Sequence, residues 1–271
     1  MSPELPERNS AAPTGLGRPR VHLRSTDSTN ERARVLALAG APHGTLVTAA
    51  EQTAGRGRQG RRWSAPTGSS LLMSLLLRDP LPLLPLIAAV AVCDVVGEQA
   101  LIKWPNDIVL AEGDTASTDA QHPSGNAAPA LSKLAGILVE GRPQEGWVVL
   151  GIGVNVAVDL KELAQELRAG SVGRAGERAP MPAASLGGSA ADVEPLLGRL
   201  LQALSRRLAE STERTLEAWR ARDALYGREI TWSSGRGRAQ GVDDRGRLLV
   251  ALDDGEHTAL SAGEVHLEAI S

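Results

Sequence analysis

The chain contains no phenylalanine, one tyrosine and one cysteine. So few aromatics leave little for bases to stack on, which counts against a single-stranded nucleic-acid binder. The lone Cys93 cannot close an internal disulfide, which suits a reducing, cytoplasmic setting. Five histidines (His22, His43, His122, His257 and His266) are scattered without metal-ligand spacing, so no fixed metal site is expected. Long apolar runs are also missing. Leu81 to Cys93 is broken by Pro82 and Pro85 and closed by Asp94, which is too short to span a bilayer. Residues 1–20 carry four prolines and no apolar core, so they read as a disordered tail rather than a signal peptide or anchor. That tail leaves no room for a winged helix-turn-helix. A net charge of −3 argues against a protein built to coat nucleic acid.

What is present is enough for a real core. The 271 residues, 42% of them hydrophobic, fit one large domain or one plus a small partner. Val21 to Leu23 reads as a short strand. Ser28 and Glu31 have capping-box spacing and open a helix carrying Ala33, Leu36 and Ala37, which Gly40 stops. Leu46 to Ala50 and Ser70 to Leu77 read as strands, and Pro85 to Val96 as a buried helix. Short strands at Ala100 to Ile102 and Ile108 to Leu110 flank Lys103-Trp104-Pro105-Asn106-Asp107. Ala111 to Ser132 is a low-complexity insertion, expected to be a flexible surface loop. Strands follow at Lys133 to Glu140 and Trp147 to Gly153, the second running on to Asn155.

From Leu160 the pattern turns helical. Leu197, Leu200, Leu201, Leu204 and Leu208 share one face, and a further helix surrounds Leu216 and Trp219. After Tyr226, short strands at Arg228 to Trp232, Arg238 to Val242, Arg247 to Leu252 and Val265 to Leu267 alternate with Gly- and Asp-rich turns. Such spacing suggests a small SH3-like barrel.

Between the strands ending at Ala50 and starting at Ser70 lies E-Q-T-A-G-R-G-R-Q-G-R-R-W, Glu51 to Trp63. Its glycines allow close backbone approach and positive φ, and its arginines offer planar, permanent charge suited to phosphate. Alone, this pattern fits a solvated basic loop, a nucleic-acid patch or an anion site. The loop repels itself when empty and is expected to order around an anion.

Ser28-Thr29-Asn30, the Gly55 to Arg62 loop, Lys103 to Asp107 with Lys133 to Gly136, and Gly151-Ile152-Gly153-Val154-Asn155 occur in one order and spacing. That combination closely resembles the biotin–protein ligases, over roughly residues 21 to 270, in the form lacking an N-terminal DNA-binding domain. The resemblance implies an α+β fold. Residues 21–222 would form a class II aminoacyl-tRNA synthetase-like catalytic domain, with residues 111–132 as its flexible insertion, and residues 223–271 an SH3-like domain. It implies that biotin and ATP react to biotinyl-5′-AMP, with Mg²⁺ on the leaving pyrophosphate. Biotin then passes to a lysine of a biotin carboxyl carrier domain of the acetyl-CoA carboxylase type. No DNA or membrane partner is implied, and the chain would act as monomer or homodimer.

Carried over residue by residue, Arg56, Arg58, Lys133 and Asp107 would be catalytic. Ser28, Thr29, Asn30, Gln52, Gly55, Arg56, Gly57, Arg58, Lys133 and Gly136 would bind biotin. Arg58, Arg61, Trp63, Lys133 and Asn155 would bind the nucleotide. These types suit the task, since two anions must be held together by fixed cations while a ureido ring needs donors and acceptors in a mostly apolar slot. Asp107 could orient or deprotonate the incoming lysine, or be a structural partner of Lys103. A lipoate–protein ligase of the same fold is the nearest rival, but it would have no use for the Ser28, Thr29, Asn30 and Gln52 set.

Overall fold

The computed structural model describes residues 15–79, 81–111, 129–163, 181–261, 263 and 265–267. Residues 1–14 of the expected tail and 112–128 of the expected insertion lie outside them. Seven strands form one sheet: β1 (Arg20–Leu23), β2 (Leu46–Ala49), β3 (Ser70–Arg78), β4 (Ala100–Lys103), β5 (Asp107–Ala111), β6 (Leu131–Arg142) and β7 (Trp147–Asn155). Their order is β1-β2-β3-β7-β6-β5-β4, with β1 parallel to β2 and every other pair antiparallel.

Alternation along the central strands decides what each face carries. Leu71, Met73, Leu75 and Leu77 of β3 join Val148, Leu150, Ile152 and Val154 of β7 on one face. Helix α2 (Leu84–Val96) packs there, buried over most of its length as its unbroken apolar sequence requires. Helices α3 (Val193–Leu208) and α4 (Thr212–Arg220) extend the same core through Leu196, Leu197, Leu200, Leu204, Leu216 and Trp219. Two hydrogen bonds from Arg207 to Asp94, at 2.8 and 2.9 Å, tie α3 to α2. Cys93 is fully buried in this layer, and burial pushes its thiol up to about 12.

The opposite face carries α1 (Thr29–Leu38), whose Ala33 and Ala37 pack on Val47, Leu76, Trp147 and Val149. Beyond that cluster the same face turns small and polar, at Ser74, Gly151 and Gly153. No strand side chain fills the space there, so the Trp63 indole and the Asn30 amide come close to the sheet.

The expected capping box at Ser28 and Glu31 does not form. Ser28 is the N-cap residue but its side chain makes no cap bond, and Glu31 bonds Arg34 instead. A neighbouring guanidinium outcompetes a backbone N–H for a carboxylate. Gln52 supplies the missing acceptor from outside the helix, taking the Thr29 N–H at 2.7 Å.

Five strands form the second sheet: β8 (Glu229–Trp232), β9 (Gly235–Val242), β10 (Leu248–Ala251), β11 (His257–Leu260) and β12 (His266–Leu267), ordered β11-β10-β9-β8-β12 and all antiparallel. β11 is not among the expected strands, because its H-T-A-L stretch alternates weakly and sits at an edge of the sheet. Ile230, Ala239, Val242, Leu248, Val250 and Val265 of this unit merge with the main core. Trp104 Nε1 donates to the Gly246 carbonyl at 3.0 Å and Lys103 Nζ to the Val265 carbonyl at 2.7 Å, fastening the unit beside β4 and β5. The proposed Lys103–Asp107 partnership is therefore revised. The ion pair of Asp107 is with Lys133, because the β5–β6 register brings that lysine alongside.

Candidate active site

The arginine-rich stretch folds back on itself as a small hairpin. Arg56 bridges Arg62, the Gly57 N–H donates to the Arg61 carbonyl at 2.7 Å and the Trp63 N–H to the Gly55 carbonyl at 3.0 Å. A 3₁₀ turn at Arg58–Gly60 forms the tip. Of the loop's glycines only Gly60 uses positive φ, at 74°, while Gln59 also enters that region at 55°. Gly55 is needed for space: a Cβ there would stand 2.4 Å from the Trp63 carbonyl oxygen. Residues 54–62, with Leu138 and Glu140 from β6, line an open cavity of about 560 Å³.

Trp63 lies across the glycines of the central strands. A Cβ on Gly153 would be 2.7 Å from its ring, and one on Gly136 would be 3.1 Å away. Gly136 and Gly153 face each other in the β6–β7 ladder, so both strands leave room for the indole at one point. Lys133 Nζ sits 5.7 Å from the ring centroid and 2.6 Å from Asp107 Oδ1. The backbone of Lys133 is clamped by the 181–186 segment, its N–H donating to the Pro182 carbonyl and its carbonyl accepting from Ala184.

Ser28, Thr29 and Asn30 are buried at the start of α1. The Thr29 Oγ1 atom stands 3.0 Å from Gln52 Oε1 and 2.8 Å from Ser74 Oγ, which itself lies 2.6 Å from Asn30 Oδ1. Asn30 Nδ2 donates to Glu140 Oε2 at 2.9 Å. Arg56 leans on two acids, with Nη1 3.4 Å from Glu31 Oε2 and 3.9 Å from Glu140 Oε1. The Arg34 hydrogen bond, aided by the Arg34 and Arg56 charges, holds Glu31 below the usual carboxylate range.

Ser74 and Glu140 escaped sequence reasoning. Each left a trace: Ser74 is a polar residue inside a run of leucines and methionine, and Glu140 shares a period of two with Gly136 and Leu138. Asn155, by contrast, is occupied within the fold, donating to the Ala184 carbonyl at 2.9 Å and standing 3.4 Å from Ser70 Oγ. Arg58 Nη2 reaches the Gly263 carbonyl at 3.5 Å, and Arg58 also borders a smaller cleft of about 380 Å³ shared with Trp104, Ile137, Arg245 and Gly246.

Residues 22–157 match the biotin/lipoate A/B protein ligase family, and residues 227–267 match the biotin protein ligase C-terminal domain. The chain belongs to the biotin/lipoate A/B protein ligase family. Among relatives, a biotin–[acetyl-CoA-carboxylase] ligase of Paracoccus denitrificans is 34% identical over 250 residues, covering 84% of this chain and 92% of that protein. The bifunctional ligase/repressor BirA of Bacillus subtilis is 37% identical over 165 residues, covering 56% of this chain but only 45% of its own length. The match thus spans less than half of that relative. Among solved structures, a biotin protein ligase from Aquifex aeolicus in complex with biotin and ATP superposes with a TM-score of 0.66. It is 23% identical and covers 92% of this chain and 98% of that one. The fold is therefore the expected one, a class II synthetase-like mixed sheet with helices followed by an SH3-like unit. Among the described residues no helix is long and apolar enough to cross a membrane, and no group of three His, Cys, Asp or Glu could hold a metal.

Proposed function

We propose that this ligase makes biotinyl-5′-AMP from biotin and ATP, then transfers biotin to a lysine of a biotin carboxyl carrier domain of the acetyl-CoA carboxylase type. The observation that carries this reading is the juxtaposition of the arginine hairpin, the glycine floor under Trp63 and the strand-borne Lys133. Attack of the biotin carboxylate on the α-phosphate brings two anions together, and pyrophosphate leaves. Arg56, Arg58 and Lys133 are cations poised to neutralise that junction, Arg58 and Lys133 also being assigned to the nucleotide with Arg61. Mg²⁺ would enter as the complex of ATP, held on phosphate oxygens rather than by a protein site.

For biotin, the ureido ring would meet Ser28, whose hydroxyl the helix cap leaves unused, together with Thr29, Asn30 and Gln52. Gly55, Gly57 and Gly136 would keep the backbone close to the ligand, Gly136 lying beside the Lys133 ammonium. Trp63 would move from the glycine floor onto adenine, since its Nε1 is buried there without a hydrogen-bond partner among the described residues. Asn155 would then act on the adenine side through the segment it fastens. In the transfer step the carrier's lysine amine attacks the acyl carbon and AMP departs. Asp107, already holding Lys133, would align that amine.

We read residues 21–222 as the catalytic unit and 223–271 as the unit that borders its nucleotide side. A cytoplasmic location and action as monomer or homodimer, without DNA, complete the reading. The test is to supply ATP with either biotin or lipoate, follow pyrophosphate release, and then look for label on a carrier domain. Release with lipoate alone would replace this reading by a lipoate ligase.

A further inference from the structure

Glu140 is an unexpected lining for a cavity that must accept two anions, since a carboxylate there repels both. Something has to offset that cost, and the hydrogen-bond chain beneath it supplies the reason. Two hydroxyl protons, those of Ser74 and Thr29, serve three oxygen–oxygen contacts: Ser74 to Asn30 at 2.6 Å, Ser74 to Thr29 at 2.8 Å and Thr29 to Gln52 at 3.0 Å. One contact must therefore lack a proton, and the direction of the chain decides which.

An ionised carboxylate only accepts, so the group that Asn30 turns toward Glu140 must be its amino group. Its carbonyl oxygen then faces Ser74 and takes the Ser74 proton. Ser74 in turn accepts from Thr29, which leaves nothing for Gln52. The distances increase in that same order. Gln52 Oε1 receives only the Thr29 backbone N–H, at 2.7 Å, and keeps one lone pair open. With Asn30 turned the other way, Ser74 would donate to Thr29 and Thr29 to Gln52, and that lone pair would be spent.

We infer that Glu140 is a positioning residue: by fixing the face of Asn30 it directs the Ser74–Thr29 protons away from Gln52, leaving Gln52 Oε1 free to accept a ureido N–H. This rests on the biotin reading above and deepens it. Gly151 reinforces the arrangement, because a Cβ there would stand 2.2 Å from Asn30 Oδ1, so the amide fits only where the strand has no side chain.

The test separates acceptor from charge. In Glu140→Leu only the long 3.5 Å contact of Asn30 Nδ2 with the Leu138 carbonyl still favours the present face of the amide, and the KM for biotin is expected to rise about fivefold to tenfold, the value of one hydrogen bond. The KM for ATP should stay within about twofold, a split that general damage to the fold would not produce. Glu140→Gln retains a carbonyl acceptor and should recover most of the loss, whereas a role confined to the Arg56 charge would leave it as impaired as Glu140→Leu. Ser74→Ala cuts the chain, releases the Thr29 proton to Gln52, and should raise the biotin KM similarly. The double variant Ser74→Ala/Glu140→Leu should then be no worse than either single change. A biotin KM unchanged in Glu140→Leu, no recovery in Glu140→Gln, or additive effects in the double variant would each overturn the inference while wild-type adenylation stands. Absence of biotinyl-adenylate with the wild type would instead overturn the underlying reading, and this inference with it.

Discussion

Lys133 and Asp107 form a 2.6 Å ion pair between adjacent strands, displaced along the ladder by a register shift between Ile108 and Val109. The irregularity matters because Asp107 is paired in register with Gly136, the residue whose missing side chain leaves space near the Lys133 ammonium. The ion pair holds the lysine in place against a buried carboxylate, while the lysine side chain itself stays 26% exposed. Lys133→Met is therefore expected to slow biotin-dependent pyrophosphate release about 10²–10³-fold. Asp107→Asn should cost less in that step and more in transfer to the carrier, which single-turnover measurements of the two steps will separate. Equal losses in both steps for Asp107→Asn would confine Asp107 to holding Lys133.

The glycine floor gives a second expectation. At Gly153 a Cβ would meet the Trp63 ring at 2.7 Å, too close for the indole to remain. Gly153→Ala should displace Trp63 and alter its fluorescence. Five tryptophans contribute to that signal, so the comparison is made against Trp63→Leu, which should remove the change. A Gly153→Ala spectrum identical to wild type would mean the indole does not rest on this floor.

The arginine hairpin closes on itself through three backbone hydrogen bonds, donated by Gly57, Arg61 and Trp63, and it carries four guanidiniums. Its charges repel until anions arrive. Trypsin should therefore cut among Arg56, Arg58, Arg61 and Arg62 in the free protein, and biotin with ATP should protect those bonds. Equal cleavage with and without ligands would show that the loop does not order on binding.

Asp223, which bridges Ile102, sets a pH dependence of stability. Burial pushes its carboxyl up to about 6, although N–H groups of Leu225 and Tyr226 pull the other way. One oxygen accepts from the Leu225 N–H at 2.8 Å, while Oδ2 is buried with no partner among the described residues. Because the native value lies above the ordinary 3.8, the folded state holds its proton more tightly than the unfolded chain. Its contribution to stability is thus complete below pH 3.8 and is lost as pH climbs through about 6, amounting to roughly 2–3 kcal/mol. Asp223→Asn should raise the melting temperature above pH 7 and converge with wild type near pH 4. Parallel melting curves across that range would contradict this.

Much of this was legible along the chain. The strands flanking the arginine stretch, the buried α2 and the leucine face of α3 follow from local periodicity, since those side chains bury wherever the element lands. Motif order in Ser28 to Asn30, Gly55 to Arg62 and Lys133 to Gly136 pointed to one family before any geometry. Misses fell where a local rule met a stronger competitor. Glu31 has the spacing to cap its helix, yet Arg34 and Arg56 claim its carboxylate. Lys103 is Asp107's near neighbour in sequence, yet it reaches across to Val265. Glu140 and Ser74 carry no motif at all.

By itself, then, the sequence determined which segments become strands and helices, where the cations cluster, and that two central strands would be bare of side chains at Gly136, Gly151 and Gly153. Only the tertiary structure decided that Lys133 pairs with Asp107, that Trp63 lies over Gly153, and that Glu140 reaches Asn30. Helix and strand propensities depend on residues a few positions apart, whereas these meetings depend on strand order and on a register that brings residues up to 110 positions apart within hydrogen-bonding distance.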